Sequence, residues 1–199
     1  MELFKKIPHE KQRLIIDNAY TCFGKNGYKK ASMADIAYAA GISKASLFHY
    51  FGNKKSLYLF LYQYAMDEIL SKSLEGSEDF FECIQKVSAI KMEVMAKYPG
   101  LFEFLSSTVE EDDPEVMKEL KALSDKNSSQ GMSLVFAKVD WGRFKPENNR
   151  QMAINAITWI SEGYVRSALG HKDAVTMQKE LAAYMEMLKK SLYREEYLK

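Results

Sequence analysis

Residues Ser32 to Lys54 read S-M-A-D-I-A-Y-A-A-G-I-S-K-A-S-L-F-H-Y-F-G-N-K. Two short helical patterns meet in this stretch at Gly41. Ser32 opens the first, with Asp35 three residues on, a pair whose side chains can satisfy free amide N–H groups at a helix start. Ile36, Ala37 and Ala40 form its inner face. Gly41 stands where a tight turn needs a residue without a Cβ penalty, and Ser43 can cap the helix that follows. A turn of three or four residues, flanked by small Ala37 and Ala40, lets two helices cross steeply at close range, as in a helix-turn-helix.

The second helix, 44–51, has a readable phase. With Leu47 at the inward pole and a step of about 100° per residue, Phe51 lies beside it at about 40°. Ala45 and His49 then reach the outward pole at about 160° and 200°, with Ser46 and Phe48 on opposite flanks. A face that presents Lys44, Ala45, Ser46, His49 and Tyr50 fits a DNA major groove about 12 Å wide. Lysine and histidine donate to base-edge acceptors, and alanine or serine meets a thymine methyl. Lys54 and Lys55, at the start of the next helix, are placed for phosphate.

Charge supports this expectation. Net charge is only +1, but residues 1–60 hold ten Lys/Arg against four Asp/Glu, a net of +6, which leaves the remainder at −5. A basic arm on an acidic body suits phosphate neutralisation. A hydrophobic content of 47% and a charged fraction of 28% are globular values.

Working outward, residues 10–26 read as an amphipathic helix ended by Gly27, with Ile15, Ala19, Cys22 and Phe23 on one face. A helix runs from Lys54 to about Leu74 with no linker between the basic region and the acidic body, so motion of the body must be felt by the reader. Helices follow over 79–97, 99–109 and 114 to about 138. W-G-R-F-K-P at 141–146 breaks the pattern, and Pro146 is expected in the first turn of a helix ending near Gly170. That helix has two apolar faces, one with Ala153, Ala156, Ile157, Ile160, Gly163, Tyr164 and Ser167, the other with Ile154, Trp159, Val165 and Leu169. The last helix, about 173–195, carries Met177, Leu181, Tyr184, Met185, Leu188 and Leu192. Two such helices at the chain end predict a four-helix bundle with a second copy, its interface built from Ala153, Ala156, Ile157, Ile160, Tyr164, Leu181, Tyr184 and Leu188.

F-x-x-x-G-Y at 23–28, D-I-A at 35–37, A-G-I-S-K at 40–44 and L-F-H-Y-F-x-N-K at 47–54 together resemble the N-terminal domain of the TetR family of transcriptional regulators, over residues 10 to about 57. The resemblance implies an all-α fold: a three-helix helix-turn-helix DNA-binding domain, residues 1–53, joined to a helical ligand-binding and dimerisation domain, residues 54–199. It implies that Ser32 and Lys54 touch phosphates while Lys44, Ala45, Ser46, His49 and Tyr50 face the groove. Three positions depart from the family pattern. Phe48 stands where a tyrosine is frequent, Ala45 replaces a frequent glycine, and Ala34 removes a possible base contact, which puts the operator sequence in doubt.

The resemblance also implies a cavity in the C-terminal body whose occupancy changes the spacing of two reading heads. Candidate lining residues are Tyr62, Met66, Met92, Met95, Phe102, Met117, Trp159 and Glu162. Their aromatic and methionine character favours an apolar or amphipathic effector, with Glu162 as a partner for a cation. The expected protein is thus a homodimeric repressor on an inverted-repeat double-stranded operator, its two reading helices about 34–36 Å apart or somewhat more. A helical small-molecule-binding or adaptor protein that no longer reads DNA is the alternative.

Catalysis is not expected. His9, His49 and His171 have no partners at triad or metal-ligand spacing, and there is no phosphate-cradling glycine loop. No cofactor or metal is anticipated. Cys22 and Cys83 read as core thiols. The start lacks an apolar signal region, and the longest uncharged runs, Ser56 to Met66 and Gln151 to Ser161, are eleven residues each, too short to span a membrane. A cytosolic location is expected.

Overall fold

The computed structural model describes residues 2–72, 76–148, 150–168 and 171–198, and helices dominate all four stretches. They are α1 (Glu2–Lys5), α2 (His9–Lys30), α3 (Met33–Ala39), α4 (Lys44–Phe51), α5 (Lys54–Ser71), α6 (Phe80–Lys97), α7 (Leu101–Val109), α8 (Pro114–Val135), α9 (Arg150–Ala168) and α10 (Ala174–Leu192). One-turn 3-10 helices cover Trp141–Arg143 and Glu195–Tyr197. The fold is all-α, as the periodicity predicts.

Several boundaries differ from the sequence reading. The N-terminal segment is not a loose tail: Phe4 is buried, its ring 4.8 Å from Phe51, 5.4 Å from Phe60 and 6.2 Å from Tyr50. Helical geometry does break at Gly27, with φ 66° and ψ 176°, but α2 resumes to Lys30. Pro146 lies in a turn and α9 starts at Arg150, because residues 143–145 are drawn to the chain end. Phe144 bridges Tyr193, and the Lys145 N–H donates to the Leu192 carbonyl at 2.9 Å. The expected ends at Leu74 and Gly170, and the apolar position Leu169, fall outside the described residues.

The chain divides into two packing units, residues 1–72 with 93–129 and residues 73–92 with 130–199. In the first, Tyr20, Phe23, Tyr58 and Phe104 make an aromatic core, the Tyr20 hydroxyl donating to the Leu61 carbonyl at 2.9 Å. Helices α2 and α7 cross almost backbone to backbone. A Cβ on Gly24 would stand 2.8 Å from the Glu103 Cβ, and one on Gly100 would stand 2.6 Å from the Thr21 Cα. An acidic stretch at the start of α8 reaches the basic helices: Lys29 pairs with Asp112 and Lys55 with Glu119, both at 2.8 Å. Glu115 accepts from the Tyr28 hydroxyl at 3.4 Å, and burial together with Glu115 pushes that phenol up to about 12.

The second unit is centred on Phe80, Phe81, Phe136, Phe144, Ala153, Ile157, Met185 and Tyr193. Asp79 ties its edge. Its carboxylate accepts from the Phe81 N–H (2.9 Å) and Glu82 N–H (3.0 Å), which caps α6, and from Lys189 Nζ (2.9 Å) and the Tyr193 hydroxyl (3.3 Å). Burial raises the carboxyl pKa, but the Lys189 bond and the two amides outweigh it and leave the group below its ordinary value.

Candidate nucleic-acid interface

The turn between α3 and α4 is closed by backbone chemistry that the sequence foreshadows. The Ser32 hydroxyl oxygen accepts from the Ala34 N–H at 3.1 Å and the Asp35 N–H at 3.4 Å, which caps α3 and leaves its own proton available to donate. At the other end, the Ile42 N–H donates to the Ala37 carbonyl (2.9 Å) and the Gly41 N–H to the Tyr38 carbonyl (3.1 Å). This pair of bonds requires a left-handed residue between, and Gly41 has φ 66°. Ser43 then caps α4, accepting from the Ser46 N–H at 3.0 Å.

Leu47 and Phe51 are buried, while Lys44, Ala45 and His49 are exposed. The phase expected for α4 is therefore the one observed. The other candidate residues are more engaged. Ser46 is half-buried and its hydroxyl lies 2.8 Å from that of Ser43, so it serves the cap first. Tyr50 is half-buried and edge-on to Phe4 and Phe51, which leaves part of the ring at the surface. Phe48 is exposed, with Lys44 Nζ 5.8 Å over its ring.

Lys54 has a role that its position in the sequence does not disclose. Its ammonium donates to the carbonyls of Tyr28 (2.9 Å), Lys29 (3.2 Å) and Ala31 (3.3 Å) and sits 4.4 Å over the Tyr28 ring. A cation on the carbonyls that end a helix is favourable, and all three of its protons are used. The phosphate contact expected of Lys54 would have to exchange one of these bonds. Tyr38, which the sequence reading passes over, is 88% exposed on α3. The signal was its phase, one and two positions out of register with inward Ala37 and Ile36.

The expected effector residues do not share one environment. Tyr62 is buried, Met66, Met92, Met95 and Phe102 are half-buried, and Met117 and Glu162 are exposed. Trp159 is 67% exposed. It leaves α9 on the side of Met152 and Gly163, opposite buried Ala153 and Ile157, so it is an outer-face residue in the single chain and not a core or pocket residue there.

Among the expected dimer residues, Ala153 and Ile157 belong to the chain's own core, so they cannot also be the outermost surface of α9. The periodicity was right about two apolar faces and assigned them the wrong way round. Ala156, Ile160, Tyr164, Leu181 and Leu188 are half-buried, and Tyr184 is exposed. Tyr164 donates to Glu180 at 2.7 Å and its ring lies 5.8 Å from that of Tyr184, which joins α9 to α10 beside the exposed face.

Residues 15–60 match the family model described as bacterial regulatory proteins, tetR family. The chain is 27% identical over 172 residues to the HTH-type transcriptional regulator RutR of Escherichia coli strain K12, covering 83% of this chain and 78% of that one. It is 28% identical over 120 residues to IcaR, the negative transcriptional regulator of the biofilm operon icaADBC in Staphylococcus aureus strain Newman, covering 58% of this chain and 64% of that one. Its fold matches that of native NalD, the secondary repressor of the MexAB-OprM multidrug efflux pump in Pseudomonas aeruginosa, with a TM-score of 0.68 at 18% identity over 94% of this chain and 98% of the other. With a matching reading head and relatives that align along most of its length, the chain belongs to the TetR family of regulators.

Proposed function

We propose that the protein acts as a homodimeric, ligand-responsive transcriptional repressor that binds an inverted-repeat operator and is released by a small apolar or amphipathic effector. The observation that carries the reading is α4: a helix whose Leu47 and Phe51 are sealed inside while Lys44, Ala45 and His49 stand free on the opposite side. Residues 1–53 read DNA, with Ser32 and the α4 face as contacts. Residues 54–199 sense the effector and dimerise. The exposed Met152, Trp159, Tyr184 and Met187 support a second copy as the partner of α9 and α10, since apolar side chains of this size are normally covered. The close crossing of α2 and α7 supports a path by which strain reaches the reader.

The test is selection of bound fragments from genomic DNA, followed by binding at graded salt. Recovery of an inverted repeat, with affinity falling steeply as salt rises, is expected. A folded protein that enriches no sequence at low salt would return the adaptor reading.

A further inference from the structure

Helix α6 carries a lysine on its inward stripe. At about 100° per residue, Ile84, Val87 and Lys91 fall within about 60° of one another, and both Ile84 and Val87 pack against the core of the second unit. Lys91 leaves the helix in that same direction. Among the described residues it has neither an ion pair nor a hydrogen bond. The side chain is nevertheless open to a water-sized sphere, while burial lowers its pKa. Those two facts pull apart for a lysine on an outer surface, where open access means full hydration. They agree for a side chain that reaches into a hollow walled by protein, where there is room for a small molecule but little bulk water. An unpaired ammonium in such a place is destabilised until a counter-charge arrives.

We propose that Lys91 is the anion-recognising residue of the effector site, and that the effector is an amphipathic acid whose oxyanion head meets the ammonium while its apolar remainder lies along Ile84 and Val87. The inference rests on the ligand-responsive reading above. It also changes the expectation of a cationic partner for Glu162, which is exposed on α9.

The experiment measures binding of three chain-matched probes to the full-length protein by calorimetry, without DNA: decanoate, decyl phosphate and decan-1-ol. At least one acid is expected to bind about tenfold or more tightly than the alcohol. Lys91→Met should abolish that preference and Lys91→Arg should keep it. Without ligand, Lys91→Met should melt at a higher temperature than wild type, because an unpaired buried charge has been removed. Equal affinity for the three probes, no binding of either acid, a preference that survives Lys91→Met, or a lower melting temperature for that variant would each overturn the proposal. Operator binding separates it from the reading beneath. Acid binding through Lys91 with no change in operator affinity upholds the site and defeats the regulatory role. Operator release by decan-1-ol, equally potent in Lys91→Met, upholds regulation and defeats the acidic effector.

Discussion

The outer faces of α4 and α9 carry opposite chemistry. On α4 the face away from Leu47 offers Lys44, Ala45 and His49; on α9 the face away from Ile157 offers Met152 and Trp159, 56% and 67% exposed. Both helices are equally well anchored on their inner sides, so the contrast concerns what each outer face lacks. Polar donors lose little in water and can exchange it for base edges and phosphates. An indole and a thioether in water forfeit roughly 25 cal/mol for each Å² until an apolar surface covers them. One face is suited to DNA, the other to a copy of itself.

The largest expected effect tests the apolar side. Trp159→Asp should weaken dimerisation by about 3 kcal/mol or more, as for a central aromatic at an interface, and analytical ultracentrifugation should find monomers. Operator affinity should fall with it while the helical content by circular dichroism stays unchanged. A variant that remains dimeric would move the interface off this face.

Next comes the support beneath that face. Asp79→Ala removes a helix cap and a charge-assisted bond to Lys189, a loss of about 2–4 kcal/mol by denaturant unfolding; Asp79→Asn should lose less. Because the folded-state pKa of Asp79 lies below its ordinary value of 3.8, the carboxylate stabilises the fold above that value, and the gain is lost as pH falls through the lower folded-state pKa. The stability gap between wild type and Asp79→Asn should therefore narrow in acid below about pH 4.

On the polar side, replacing Lys44 and His49 together by Ala should cost about 10- to 100-fold in preference for the operator over random DNA, with the dimer intact. Unchanged footprints would remove both residues from the contact surface. The smallest effect is local: Gly41→Ala places a Cβ at positive φ and should lower stability by about 1–2 kcal/mol, with no change in the dimerisation constant.

The reading head was legible because its information is local. Gly41, Ser43, Leu47 and Phe51 lie within eleven residues, and helix phase alone decides which side faces out. Where the sequence reading went astray, the deciding partner was remote or the element was short. Phe4 sits in a one-turn helix with too few residues to show a period, yet it seals the base of α4. Lys54 looks like a phosphate lysine until α2 brings three carbonyls to it from more than twenty residues away. Asp79 reads as an ordinary cap, and its partners Lys189 and Tyr193 lie over a hundred residues on. In α9, a period of 3.6 reveals two apolar faces but not which one the chain itself will cover. Trp159 was therefore placed inside and Ala153 outside, because large side chains are usually the buried ones.

At the crossing of α2 and α7, Gly24 and Gly100 bring main chain against main chain. Side chains at most helix contacts act as cushions, since a rotamer can turn and absorb a small shift. Here nothing is left to turn. A displacement of α7 arrives at α2 without slack, and the joint behaves as a gear mesh without backlash. A methyl group added at either glycine would do more than crowd the contact: it would wedge the two shafts apart and detune every movement passed between them.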